Sequence, residues 1–162
     1  MRTIILGVGN PILGDDGVGL KVARELKRRV KNPDVDIDEA ATGGINLMDQ
    51  IIGYDKAILI DTITNKDVLP GEIRRLSIDD FSSFHSFNPH DISLPEACKL
   101  ARQLGETRVP RDITVFGISL ERMPCEFGEE LSDEISKTVP KTVDMIMSEL
   151  DEDKKDLVED DD

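Results

Sequence analysis

Cysteine occurs only twice in the 162 residues, at Cys98 and Cys125, and no Cys-x-x-Cys spacing is present. That scarcity excludes a disulfide scaffold and a zinc ribbon, and both thiols are expected to behave as buried small hydrophobes. Long hydrophobic runs are missing as well; none approaches the roughly 20 residues of a membrane-spanning helix. Met1-Arg2-Thr3 leads straight into strand-like residues, without the apolar region and cleavage site of a signal peptide, so a cytoplasmic location is expected. Positive charge is in deficit. With 20 Lys and Arg against 34 Asp and Glu, the formal net charge is −14, which disfavours nucleic acid and anionic membrane surfaces as partners.

What is present reads as one soluble α/β domain over residues 1–150. The segment 151–162, DEDKKDLVEDDD, is too polar to bury anything and is expected to be a disordered acidic tail. Thr3 to Val8 is an apolar strand, and Val18, Val22, Leu26 and Val30 recur at helical spacing after it. Val35 to Glu39 suits a second strand, Thr42-Gly43-Gly44 a turn, and Ile45 to Ile52 a short helix. Ala57-Ile58-Leu59-Ile60 is a continuous apolar strand stopping at Asp61, the pattern of a strand buried on both faces of a parallel sheet.

Gly71 to Leu76 suits an edge strand, followed by a loop from Ser77 to Asp91 that holds Phe81, Phe84 and Phe87. Those rings would serve either as a docking surface or as packing under the loop. Ser93 and Glu96 form a capping box opening a helix that ends at Gly105. Ile113 to Ile118 is a further strand. Leu131, Ile135, Val139, Val143, Ile146 and Leu150 predict a last long helix kinked at Pro140. The order implies a three-layer α/β/α sandwich around a mostly parallel sheet of about five strands.

The chemistry-bearing residues cluster at predicted strand ends. Gly7-Val8-Gly9-Asn10-Pro11-Ile12-Leu13-Gly14-Asp15-Asp16-Gly17-Val18-Gly19 places two adjacent acids in a glycine-rich turn after the first strand. In doubly wound sheets the ligand crevice lies beyond the carboxyl ends of the strands, so Asp16 and Asp61 are expected to face one crevice. His90, three residues ahead of a helix cap, has the reach to join them. Two carboxylates and an imidazole suit a divalent ion such as nickel or zinc.

Each residue also has a plainer reading. Asp15 would cap a helix, Asp16 would complement a helix dipole, Asp61 would cap the following turn, and His85, Glu121 and Glu126 would be surface groups. The G-x-G-x-x-G fingerprint fails at Ile12. No P-loop, G-x-S-x-G elbow or H-E-x-x-H helix is present, so serine-hydrolase and zincin chemistries have no support in the sequence.

Taken together, Gly7-Val8-Gly9-Asn10, Asp15-Asp16-Gly17-Val18-Gly19, Thr42-Gly43-Gly44, the strand leading to Asp61, Pro89-His90 and Gly117-Ile118 resemble the hydrogenase maturation endopeptidases. Gly128 and Leu131-Ser132 ahead of the last helix fit the same pattern. The resemblance implies a cytoplasmic protease that removes a short C-terminal extension from the nickel-loaded precursor of a nickel-iron hydrogenase large subunit. It implies that Asp16, Asp61 and His90 are both the metal-contacting and the catalytic positions, and that the nickel arrives with the precursor. Whether the metal or a carboxylate activates water stays open. Asp16 stands where some members carry Glu, and Ser119-Leu120-Glu121 replaces a Pro-containing segment. The alternatives are a non-proteolytic nickel-binding accessory protein, and a small-molecule hydrolase or nucleotide-binding domain.

Overall fold

A computed structural model describes residues 1–41, 44–81 and 93–159 of the chain. Five strands form one sheet in the order β2-β1-β3-β5-β4. They are β1 (Thr3–Val8), β2 (Val35–Ala40), β3 (Lys56–Ile63), β4 (Ile73–Ser77) and β5 (Asp112–Ser119). All pairings are parallel except that of β4, which runs antiparallel along β5 at one edge. The helices are α1 (Val18–Arg29), α2 (Gly44–Ile51), the single turn α3 (Ile78–Phe81), α4 (Leu94–Gln103), the short α5 (Asp133–Ser136) and α6 (Thr138–Glu159).

Strand periodicity divides the core in two. Ile4, Leu6, Val8, Ala57, Leu59, Ile113 and Val115 pack against α2 and α4 on one face. On the other, Ile5, Ile58, Ile60, Phe116 and Ile118 pack against Val18, Val22 and Leu26 of α1 and Val143, Ile146 and Leu150 of α6. Because β1, β3 and β5 are covered on both faces, their sequences are near-continuous apolar runs rather than alternating ones. The expected three-layer sandwich is what the chain forms.

Local signals fix the element ends. Ser93 Oγ accepts from the Glu96 N–H at the start of α4. At its other end Gly105 takes φ +91°, the Gly105 N–H donates to Arg102 O and the Glu106 N–H to Ala101 O. This is a Schellman closure, with glycine at the left-handed position.

Several sequence expectations are corrected. β3 does not stop at Asp61 but continues to Ile63. The last helix is not one kinked rod: α5 and α6 are separate, and Pro140 lies in the first turn of α6, where its missing N–H costs no helical bond. The tail expected to lack structure from Asp151 continues α6 as helix to Glu159. Cys98 is buried but Cys125 is exposed. Gly44 opens α2, whereas Thr42 and Gly43, like Phe84, His85, Phe87, Pro89 and His90, lie outside the described residues.

Asp153, in that final stretch of helix, has a structural partner. Lys56, at the start of β3, is 4% exposed and lies 2.9 Å from both Glu149 and Asp153 of α6; Glu149 also pairs with Arg75 of β4 at 2.9 Å. Burial alone would lower the Lys56 ammonium, but the bonds to Glu149 and Asp153 outweigh it and hold the group above its ordinary value. Burial likewise opposes ionisation of Glu149, and the Arg75 and Lys56 bonds overcome it, leaving that carboxyl below its ordinary value. This network ties α6 to the amino-terminal edge of the sheet.

Candidate functional site

The carboxyl ends of β1 and β3 form the crevice. From β1 the chain turns into α1 on one face of the sheet, and β3 is entered from α2 on the other, so the two central neighbours meet at a topological switch point. Register sets the shape. β1 pairs with β3 only as far as Gly7 opposite Ile60, while β3 continues along β5 to Ile63 opposite Ser119. Asp61, Thr62 and Ile63 therefore project past the paired part of β1, and the segment from Gly9 to Asp16 fills the space beside them.

Glycine makes the approach possible. A Cβ on Gly19, in the first turn of α1, would drive into the carbonyl oxygens of Ile60 and Val8. Only a residue without a side chain lets α1 sit directly on the ends of β1 and β3. A short 3₁₀ turn, Gly14–Gly17, precedes that helix and carries Asp15 and Asp16.

Asp16 is 8% exposed. Its Oδ2 accepts the Asn10 N–H at 2.9 Å and its Oδ1 accepts the Thr62 hydroxyl at 2.8 Å. Asp61 is half-buried, and its Oδ1 accepts the Thr62 N–H at 2.8 Å. Burial pushes the Asp61 carboxyl up to about 8; the Thr62 N–H opposes the shift and the charge of Asp16 adds to it. The two acids foreseen in the sequence are thus brought to one crevice and feel one another electrostatically. His90, the third member expected, lies outside the described residues. Among those residues no group of three or more metal-ligating side chains occurs.

Asp15 does not cap its own helix. Its Oδ1 accepts the Ser132 N–H at 2.7 Å and its Oδ2 the Ser132 hydroxyl at 2.9 Å. Ser132 is itself the N-cap of α5, so Asp15 latches that helix to the glycine-rich turn. Beside it, Gly14 N–H donates to Gly128 O and Gly128 N–H to Ile12 O, joining the turn to the segment after β5. A cleft of about 280 Å³ opens next to the latch, lined by Asp15, Leu120, Glu121, Arg122, Pro124 and Glu134.

Thr62 was not singled out in the sequence, and Asn10 and Ser132 entered only as members of motifs, without a role. Asn10 had a detectable signal as a turn residue between Gly9 and Pro11; its Oδ1 accepts the Ile12 N–H. Thr62 had none, because threonine near the end of a strand is ordinary.

The chain is thus a small α/β sandwich with two carboxylates brought together at the carboxyl edge of its sheet. The chain belongs to the HycI hydrogenase maturation protease family, which it matches over residues 20–149, and it is a peptidase of that family. Asp61 and His90 fall within the match, and Asp16 lies just ahead of it. The hydrogenase 2 maturation protease of Escherichia coli K12 is 26% identical over 153 residues, covering 93% of this chain and 91% of that protein. The structure of the hydrogenase maturating endopeptidase HybD from E. coli superposes with a TM-score of 0.79, covers 94% of each chain and is 24% identical, a likeness of fold. The NiFe hydrogenase maturation protease HybD from Thermococcus kodakarensis is 27% identical with a TM-score of 0.65, covering 91% of this chain and 98% of that one.

Proposed function

We propose that this peptidase removes a C-terminal extension from the nickel-loaded precursor of a nickel-iron hydrogenase large subunit, in the cytoplasm. The observation that carries the reading is the convergence of Asp16 and Asp61 at the β1/β3 crevice in a chain of this family. Nickel enters as part of the substrate. Asp16, Asp61 and His90 engage the metal that the precursor already holds, so the ion marks a precursor as ready and acts as a Lewis acid on the scissile carbonyl. A carboxylate of the pair takes the proton of the attacking water and delivers it to the leaving amine as the C–N bond breaks.

The test is to incubate the purified chain with a cognate nickel-loaded precursor and follow the precursor mass. Loss of a C-terminal peptide, abolished by His90→Ala in a variant that still folds, is the expected result. An unchanged mass together with tight nickel binding by the chain alone would overturn the proposal in favour of a nickel-binding accessory role.

A further inference from the structure

Thr62 touches both acids. Its main-chain N–H donates to Asp61 Oδ1 and its hydroxyl to Asp16 Oδ1, each at 2.8 Å. The residue is 4% exposed, so its hydroxyl depends on a protein partner rather than on water. Other buried hydroxyls bond differently: those of Thr138, Thr142 and Ser119 donate to main-chain carbonyls, and that of Thr114 to Asp112 two residues away. That of Thr62 reaches across 46 residues of chain to a carboxylate in the crevice.

The placement follows from the topology. Successive residues of a strand point to opposite faces of the sheet. Asp61 belongs to the α2/α4 side and Thr62 to the α1/α6 side, where the 3₁₀ turn delivers Asp16. The two carboxylates approach the crevice from opposite faces, and a residue adjacent to one acid in sequence and bonded to the other joins them. From this geometry, and resting on the peptidase reading, we infer that Thr62 is a positioning residue for hydrolysis that fixes the orientation of Asp16 relative to Asp61. Its hydroxyl and the Asn10 N–H occupy one oxygen each of Asp16, so two donors from different segments hold the carboxylate while both oxygens keep acceptor capacity.

Thr62→Val preserves shape and the N–H bond to Asp61 but deletes the hydroxyl. Its kcat for precursor cleavage should fall about 10- to 100-fold, with KM within about twofold. Thr62→Ser should recover most of that loss, which a purely packing role would not predict. A crystal structure of Thr62→Val should show the Asp16 side chain turned from its wild-type rotamer or split between two. Thr62→Ala replaces Thr62→Val if the latter does not fold. An unchanged kcat with Asp16 in place would overturn the inference, as would a loss that Thr62→Ser does not restore. If the wild-type chain leaves the precursor intact, the proposed function fails, while the Asp16 conformation in the crystal still decides whether Thr62 orients it.

Discussion

Replacing Asp61 by Asn should make the protein more stable near neutral pH and flatten the dependence of its stability on pH. In the folded chain the Asp61 carboxyl, ordinarily near 3.8, is pushed up to about 8, chiefly by burial. Between those two values the unfolded chain has released this proton and the folded chain has kept it. Stability contributed by the group is therefore intact below pH 3.8, falls as pH rises, and is fully lost above about pH 8.

The limiting slope is about 1.36 kcal/mol per pH unit, or about 2.7 kcal/mol from roughly pH 5 to roughly pH 7. Asp61 is only half-buried, so water access and relaxation reduce the expected difference to about 1–2 kcal/mol. Asparagine has a similar shape, retains an acceptor for the Thr62 N–H and carries no titrating proton. Because the chain has no tryptophan, urea unfolding is best followed by far-UV circular dichroism, at several pH values for both proteins. Parallel stability profiles, or an asparagine variant less stable at neutral pH, would refute the reasoning. A more stable variant that no longer processes precursor would identify Asp61 as a group held at a cost to folding.

Gly19→Ala forces a methyl against two main-chain oxygens, so α1 must lift from the sheet; urea unfolding should register a loss of about 1–3 kcal/mol. Glu149→Gln removes one of the two α6 carboxylates that pair with the buried Lys56 and should lower stability by about 3 kcal/mol in the same assay. Glu149 is held below its ordinary 4.5, so its contribution is present above that pH and lost as pH falls through the lowered native value. The acid limb of the wild-type profile below about pH 4.5 should accordingly be steeper than that of Glu149→Gln. Asp15→Asn removes one of the two bonds to Ser132 and should cost about 1 kcal/mol while precursor is still processed. Complete loss of processing in a folded Asp15→Asn would place Asp15 in the chemistry instead of the latch.

Local pattern along the chain is enough to set the layers of the fold. Apolar runs in Thr3–Val8, Ala57–Ile60 and Ile113–Ile118 can only be strands covered on both faces, and the 3.6-residue stripes of α1 and α6 supply one cover. The sequence also marked Asp16 and Asp61, because an acid within a glycine-rich turn and an acid closing an apolar run each break a local pattern.

Tertiary structure decided the relations between them. That Asp15 serves Ser132, far along the chain, depends on where the segment after β5 folds back, which no local pattern encodes. The tail to Glu159 is helical partly because the buried Lys56 gives Asp153 a partner that composition cannot reveal. The Thr62 hydroxyl meets Asp16 because β3 outruns β1 and that offset opens the space between them. Periodicity is a property of neighbours in sequence, whereas the orientation of a carboxylate depends on donors that packing brings from elsewhere in the chain.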